Sequence, residues 1–213
     1  NTLHLLDLAQ ANGANVINNP SAVKKFNEKI FALYFTKYIP STLISSKASE
    51  LKAFAKDFSE IVIKPLNGMG GESIYKLSEI GSDEESIIQE LTNEGKTSIV
   101  GQEFLPEIYD GDFRILIING KPFNKTLARI PQGESFKGNL AAGGKGVAKD
   151  LQPHQEAVAN EIGTVLMQHG IVFAGLDVIG SKVTEINVTS PTCARQIFDQ
   201  TGEDPIMELF AGL

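Results

Sequence analysis

Residues 61–77 read IVIKPLNGMGGESIYKL, and this stretch decides what kind of fold the chain can adopt. Its β-branched apolar run predicts a strand over residues 61–64, and a second strand is predicted over residues 73–77. Three glycines fall within the four residues 68–71 between them. Backbone amides in such a loop can approach phosphate groups closely, because glycine carries no side chain. A glycine-rich hairpin turn is the plain alternative, and this stretch alone leaves both interpretations open.

The spacing of these glycines excludes two familiar phosphate loops. A Walker A loop has the pattern GxxxxGK[ST] before a helix, and a dinucleotide-binding fingerprint has GxGxxG between a strand and a helix. Neither pattern occurs here. The chain also lacks the HRD and DFG motifs that accompany the glycine-rich loop of protein kinases. The functional hypothesis that remains is a flap that connects two strands and covers phosphates.

Composition limits the classes of function. The chain has 213 residues, 42% of them hydrophobic, which suffices for one large domain or two small ones. Its 19 basic and 26 acidic residues give a net charge of -7, so it has no cationic surface for nucleic acid or anionic lipid. It has one cysteine and no apolar stretch of membrane-spanning length. We therefore expect a cytoplasmic protein with neither nucleic-acid nor membrane partners.

The order of helical and strand patterns predicts an α+β fold, not a doubly wound parallel sheet. Asn119-Gly120 lies between two apolar runs and predicts a hairpin, and a second hairpin is predicted around residues 180–182. Residues 131–146 contain five glycines and few apolar anchors. We expect this segment to be a mobile loop.

The first hairpin groups charged residues. A two-residue turn at Asn119-Gly120 would place Arg114 opposite Lys125, with Asp112 and Arg129 on the same face. Two arginines, a lysine and an aspartate would then share one side of the sheet. A bulge would undo this register, and an ordinary solvated face is the alternative.

The second hairpin groups oxygen ligands. A three-residue loop at residues 180–182 would place Asp177 opposite Glu185, with Asn187 on the same face. The other face would then carry Leu176, Val178, Thr184, Ile186 and Val188. Carboxylates that are about 5 Å apart at Cβ repel each other unless a cation lies between them. Carboxylate and amide oxygens suit Mg²⁺, while a solvated strand face is the alternative.

Eight segments follow one another along the chain: KFNEKIF, IVIKPLNGMGGESI, GQEFLP, GDFRILIINGKP, ARIPQG, GNLAAGG, GLDVIG and TEINVTSPTC. In this order they resemble the bacterial glutathione synthetases of the ATP-grasp superfamily, nearly from end to end. The resemblance implies an ATP-grasp fold of two α+β subdomains with the nucleotide between them. Residues 1–26 would end an upstream α/β substrate domain, and residues 27–213 would form the ATP-grasp domain, with subdomains 27–101 and 102–213.

The resemblance also implies a reaction. ATP phosphorylates the cysteinyl carboxylate of γ-glutamylcysteine, and the amine of glycine then attacks the acyl phosphate. Glutathione, ADP and phosphate are the products. ATP would be the co-substrate and Mg²⁺ the cofactor, with Mn²⁺ as a substitute.

The resemblance further assigns roles to individual residues. The ATP-binding residues would be Lys29, Lys64, Gly68, Gly70, Gly71, Gln102, Glu103, Phe104, Leu105 and Asp112. Asp177, Glu185 and Asn187 match the metal ligands. Arg114 and Arg129 would be the catalytic cations that stabilise the transferring phosphoryl group and the acyl phosphate.

The loop at residues 131–146 matches the lid of the family, which would exclude water from the acyl phosphate. Lys137, Gly138 and Asn139 would contact substrate there. Lys137 and Lys145 are often arginine in the family, so a planar bidentate donor is replaced by a compact charge. Arg195 would reach a substrate carboxylate or form a surface salt bridge. Cys193 is expected to be a packed small residue, not a nucleophile.

Two other functions stay open. Another ATP-grasp carboxylate-amine ligase, such as a glutamate-adding or D-alanine-joining enzyme, would share the lysines and the metal ligands. A nucleotide-binding module without turnover is the second alternative, because the similar enzymes carry about a hundred further residues upstream, a typical small-domain length. We expect the isolated chain to be weakly active or inactive, since part of the substrate site would lie in that domain. We also expect a homo-oligomer.

Overall fold

The computed structural model describes residues 1–68 and 70–212. Its helices are α1 (Thr2–Ala11), α2 (Pro20–Lys25), α3 (Ala48–Ala55), α4 (Ser82–Leu91), α5 (Pro153–Gln168), α6 (Ala194–Thr201) and α7 (Pro205–Ala211). Its strands are β1 (Thr42–Ser45), β2 (Ile61–Pro65), β3 (Tyr75–Leu77), β4 (Ile99–Glu103), β5 (Asp112–Ile118), β6 (Lys121–Ile130), β7 (Lys145–Asp150), β8 (Phe173–Ile179) and β9 (Lys182–Asn187). Short 3₁₀ helices cover Phe31–Phe35, Pro106–Asp110 and Leu140–Ala142.

The first sheet is antiparallel, with the strand order β1-β4-β2-β3. Alternate residues of β2 point to opposite faces, so Ile61 and Ile63 pack on the helix side while Lys64 points the other way. Leu51 of α3 and Ile88 of α4 complete this core. The apolar face of the sheet is thereby buried under helices, which leaves the opposite face available for a site.

The second sheet is also antiparallel, with the order β7-β6-β5-β8-β9. Helix α5 and the aromatic segment around Phe26 and Phe31, whose rings stack 4.0 Å apart, cover one face. Helices α6 and α7 cover part of the other face, where Ile197 and Leu209 are buried. The charged side chains of Asp112, Arg114, Arg129, Asp177 and Glu185 also point to this second face, because they alternate with the core residues of the first.

These two helix-covered antiparallel sheets confirm the α+β prediction. The division of the chain at residues 26 and 101 stays a prediction. Within the described ranges, none of the helices has the length and apolar character needed to cross a bilayer.

The predicted register of the first hairpin is partly wrong. Near the turn, Ile118 pairs with Lys121 as expected, but a bulge follows and Arg114 lies opposite Leu127, not Lys125. The bulge shifts the pairing by two residues, which preserves the face of every side chain beyond it. Asp112 therefore pairs directly with Arg129. Lys125 instead pairs with the carboxylates of Asp150 and Glu203 at the sheet edge.

The second hairpin keeps its predicted central pair but not its predicted turn. Asp177 lies opposite Glu185, as expected. The turn has two residues, because Ile179 pairs with Lys182, and a bulge near Thr184 takes up the extra residue. Val183 therefore enters the core in place of Thr184, which lines the cleft described below.

Candidate active site

A cleft that is open to solvent lies between the two sheets, and its empty space, mouth included, is about 830 Å³. Every residue assigned to ATP lines it within the described part of the chain: Lys29, Lys64, Gly68, Gly70, Gly71, Gln102, Glu103, Phe104, Leu105 and Asp112. Lys137, Gly138 and Asn139 of the predicted lid line it as well, and so do Asp177 and Glu185. Met69, at the centre of the predicted flap, lies outside the described residues. Elements far apart in sequence thus contribute to one concave site.

Two buried lysines converge at one end of the cleft. Lys64, near the end of β2, places its Nζ 3.2 Å from Glu185 Oε1. Lys29 Nζ lies 3.6 Å from the same oxygen and donates a hydrogen bond of 2.9 Å to the carbonyl of Gly68. The lysines therefore link the glycine loop to the β8-β9 hairpin, and their positive charges face the position that an anionic ligand would occupy.

The glycine loop contacts the predicted lid directly. Gly70 and Gly71 have φ values of 67° and 83°, which L side chains rarely adopt. A Cβ atom on Gly71 would lie 2.9 Å from Asn139 Oδ1. Gly138 is equally constrained, since its Cβ would lie 2.5 Å from the carbonyl oxygen of Arg129. In this structure the predicted lid packs against the loop, where Gly71 leaves room for Asn139, and Gly138 lets the lid fold back over the end of β6.

Substituting Gly70 by valine is expected to weaken Mg-ADP binding roughly tenfold or more. Among the described residues, a Cβ at this position would meet Ala141 Cβ alone, at 3.6 Å, so the main penalty is the left-handed φ, which opposes a β-branched residue by on the order of 1–3 kcal/mol. Calorimetric titration measures the effect. Gly13→Val is the matched control, because Gly13 has φ 92° and no neighbour within 4 Å of its Cβ position. An ADP dissociation constant that is unchanged in Gly70→Val would contradict a role of the glycine loop in binding phosphates.

Two arginines and two aspartates form a buried network beneath the cleft. Arg114 donates from Nε to Asp177 Oδ1 at 2.5 Å and from Nη2 to Asp177 Oδ2 at 3.0 Å. Arg129 Nη2 lies 2.5 Å from Asp112 Oδ2 and 3.0 Å from Asp177 Oδ1. The predicted grouping of Asp112, Arg114 and Arg129 is thus confirmed, and Asp177 joins it from the adjacent strand. Charges balance within the network, which makes its burial tolerable.

The network shifts the pKa values of its members. Burial raises the pKa of Asp177, but the charges of Arg114 and Arg129 outweigh burial and hold it well below its usual range. Burial likewise lowers the pKa values of the two arginines, and the aspartates more than compensate, so both remain protonated. Asp177 is therefore a carboxylate at any physiological pH.

Asp112 behaves differently. Its Oδ2 accepts from Arg129, whereas its Oδ1 is buried without a hydrogen-bond partner among the described residues. Burial raises the pKa of Asp112 to about 6, against the opposing charge of Arg129. The orphaned oxygen faces a site where ligand or solvent would have to satisfy it.

The pH dependence of folding stability is expected to change in Asp112→Asn. Because the folded-state pKa of Asp112 is raised from 3.8 to about 6, the folded chain binds more protons, and this contribution to stability is lost as pH rises from about 4 to 6. The variant lacks this loss, so its stability relative to the parent should rise by up to about 3 kcal/mol across that window and then level off. Asp177, whose pKa is lowered, acts in the opposite sense and only below its ordinary pKa.

Urea unfolding between pH 4 and 8 measures this difference. Asp110→Asn is the control, because Asp110 is exposed and only two residues away. Parallel stability curves for the parent and Asp112→Asn would contradict the raised pKa.

Asp177, Glu185 and Asn187, which the resemblance assigned to a metal, carry two carboxylates and an amide on neighbouring strands. The two carboxylates face each other across β8 and β9, and Asn187 Nδ2 lies 3.4 Å from Asp177 Oδ2. No set of three His, Cys, Asp or Glu side chains in residues 1–68 and 70–212 is arranged to hold a metal. A cation at the cleft would have the carboxylates of Asp177 and Glu185, with phosphate and water as further ligands, and Asn187 would have to turn its amide to present the oxygen. That donor set fits Mg²⁺.

Comparison of the sequence with known proteins identifies the family of the chain. A family model described as "Prokaryotic glutathione synthetase, ATP-grasp domain" matches residues 28–202. The chain belongs to this family. The glutathione synthetase of Pseudomonas aeruginosa is 47% identical over 211 residues, covering 98% of this chain and 67% of the relative. That of Xylella fastidiosa is 44% identical over 206 residues, covering 97% and 66%. The chain therefore spans about two thirds of the length of these relatives.

Solved structures place the chain among ATP-grasp folds. The ATP-grasp ligase PsnB, complexed with a minimal precursor, superposes with a TM-score of 0.70 at 19% identity, over 96% of this chain and 66% of PsnB. D-alanine–D-alanine ligase from Bacillus anthracis, complexed with ATP, gives 0.55 at 14% identity, over 86% and 64%. At these identities the likeness concerns the fold alone, and it confirms the predicted ATP-grasp architecture.

Not every predicted site residue of this glutathione synthetase family member lies at the cleft. Arg114, Arg129 and Asn187 lie behind Asp177 and Asp112 and do not line it. Arg195 forms a surface pair with Asp199 at 2.7 Å, with its side chain 81% exposed. The surface salt bridge foreseen as its alternative is what the structure contains. Cys193 is buried in the core with α6, as expected of a packed small residue.

Several lining residues escaped the sequence analysis. These are mostly apolar: Val62, Pro65, Glu72, Ile74, Ile108, Phe136, Ile179 and Thr184. Val62 could have been found, because it lies two residues from Lys64 and so shares its face. Phe136 could not, since its place depends on how the lid folds back to bring its ring within 6.2 Å of Phe104.

Proposed function

We propose that the protein containing this chain is an ADP-forming ligase that joins γ-glutamylcysteine to glycine and produces glutathione. The observation that carries the proposal is sequence identity of 43–47% to proteins named glutathione synthetase over 91–98% of the chain. The cleft supports it, because cations, carboxylates and a glycine loop converge on one site. The reacting groups would be a carboxylate, the γ-phosphoryl group of ATP and an amine.

Each group of residues at the cleft would have its own role. Lys29, Lys64 and the amides of the glycine loop would hold the phosphates, and residues 102–105 would hold the base. Asp177, Glu185 and Asn187 would bind Mg²⁺, which supplies neutralisation of phosphate charge. Arg114 and Arg129 lie behind Asp177 and Asp112, so from these positions they would act on the developing charge through the carboxylates that they hold in place.

The chemistry proceeds in two displacements. A carboxylate oxygen of γ-glutamylcysteine attacks the γ-phosphorus and ADP leaves, which gives an acyl phosphate. The amine of glycine then attacks the acyl carbon, phosphate leaves with the carboxylate oxygen, and the nitrogen loses a proton. Lid residues 137–139, which pack against the glycine loop, would keep water from the acyl phosphate. We further propose Mg²⁺ as the native metal with Mn²⁺ as a substitute, a cytoplasmic location and a homo-oligomer.

A coupled assay of ADP release tests the proposal. Two samples are assayed in parallel. One is the protein that contains this chain at the length of the relatives, and the other is the 213-residue chain alone. ADP release by the longer protein should need both γ-glutamylcysteine and glycine, and glutathione should be found by mass. Turnover with a different carboxylate and amine, but not with this pair, would contradict the substrate assignment.

A further inference from the structure

The cleft-facing side of β4 carries one amide side chain, that of Gln102. It pairs with Thr42 of β1 on one side and with Val62 of β2 on the other. The neighbouring Gly101 faces α3, since a Cβ there would lie 2.8 Å from Leu51. Gln102 therefore points into the cleft, and it is only 5% exposed. A buried amide in a ligand cleft must have its donor and acceptor ends satisfied.

Hydrogen bonds determine which end of the amide faces which way. Thr42 Oγ1 donates to the carbonyl oxygen of Pro40 at 2.8 Å. A carbonyl can only accept, so the single hydroxyl proton of Thr42 is committed to it. Thr42 Oγ1 can then only accept from Gln102, at 2.9 Å, and the atom of Gln102 that it contacts must be Nε2. The neighbouring groups therefore fix the orientation of the amide.

The other end of the amide is the oxygen, Oε1. Among residues 1–68 and 70–212, the side-chain hydrogen bond of Gln102 is the one that its Nε2 donates to Thr42, and Oε1 accepts none. Oε1 is not among the buried atoms that lack a partner, so it is open to solvent in the cleft. Gln102 immediately precedes residues 103–105, which line the same end of the cleft together with the apolar side chains of Val62, Ile74 and Ile108. Flat apolar walls with one fixed acceptor suit a planar base that carries a donor group.

We propose that Thr42 is a positioning residue that holds the amide of Gln102 so that its oxygen selects adenine over guanine. Adenine presents an amino donor at carbon 6, whereas guanine presents a carbonyl acceptor there. The oxygen of Gln102 would accept a hydrogen bond from the amino group of adenine. With guanine it would face the carbonyl oxygen, and two acceptors repel each other, so guanine would be rejected. The inference rests on the proposed function in one respect, namely that this cleft binds the base of ATP.

Thr42→Val tests the inference, because valine keeps the shape of threonine and cannot accept a hydrogen bond. The amide of Gln102 would then be free to turn and to donate to guanine. We expect the ratio of the Mg-GDP to Mg-ADP dissociation constants to fall roughly tenfold relative to the parent chain. Thr42→Ser, which keeps the hydroxyl, should retain the parental ratio.

Calorimetry on the 213-residue chain gives both constants, and thermal unfolding of each variant reports folding. A purely structural role of Thr42 would weaken both nucleotides equally and leave their ratio unchanged, which would overturn the inference but not the proposed function. Failure of the parent chain to bind either nucleotide would overturn the inference together with the assignment of this cleft to ATP, while the coupled assay on the longer protein tests the substrate assignment separately. A parent that binds the two equally would overturn the inference alone.

Discussion

Glu185→Gln is expected to reduce ADP-forming turnover by on the order of a hundredfold or more, with part of the loss recovered at high Mg²⁺ concentration. Glutamine keeps the shape of the side chain but removes one of the two carboxylate charges that face each other across β8 and β9. It also removes a carboxylate that pairs with Lys64 and, beside Glu28, with Lys29. A divalent cation would thus be held less tightly, and excess cation would compensate by mass action.

The measurement is initial velocity against Mg²⁺ concentration at saturating ATP. Glu156→Gln is the control, since Glu156 is an exposed residue of α5. It should behave like the parent. Loss of turnover in Glu185→Gln with an unshifted Mg²⁺ dependence would reject the role of Glu185 as a metal ligand.

Arg129→Leu is expected to lower the free energy of unfolding by about 3–5 kcal/mol and to abolish turnover. Leucine fills much of the space but leaves Asp112 buried without a counter-charge, while Asp177 keeps Arg114. Uncompensated burial of a carboxylate is the reason for the large effect. Chemical denaturation at pH 7.5, above the raised pKa of Asp112, measures it.

A second substitution separates charge from packing. Asp112→Asn in the Arg129→Leu background should recover part of the lost stability, because it removes the unpaired carboxylate. Arg195→Leu is the matched control: its pair with Asp199 is exposed, so a change within about 0.5 kcal/mol is expected. Additive effects of the Asp112 and Arg129 substitutions would contradict the network.

The sequence predicted which charged side chains share a face better than it predicted the strand pairing. Asp112, Arg114 and Arg129 share a face although Arg114 does not pair with Lys125, because a shift of two residues preserves side-chain alternation. Asp177 and Glu185 are opposite each other although the turn is one residue shorter than expected. The alternation of charged residues therefore predicted correctly which side chains share a face, even where the predicted pairing of the strands was wrong.

What sequence could not supply depends on long-range packing. A bulge in β9 places Val183 in the core instead of Thr184. At this point the amide of Val183 donates a hydrogen bond to the carbonyl of Tyr38, which is far away in sequence. The salt bridge that joins Arg129 to Asp177 crosses β5 and depends on the twist of three strands. Neither is visible in local periodicity.

The most direct test of the central claim follows an oxygen atom. γ-Glutamylcysteine labelled with ¹⁸O in its cysteinyl carboxylate is turned over with ATP and glycine by the protein that contains this chain, and the released phosphate is analysed by mass. Ligation through an acyl phosphate predicts that one labelled oxygen moves from the carboxylate into each phosphate. Phosphate released without label, at a yield equal to that of glutathione, would contradict the account.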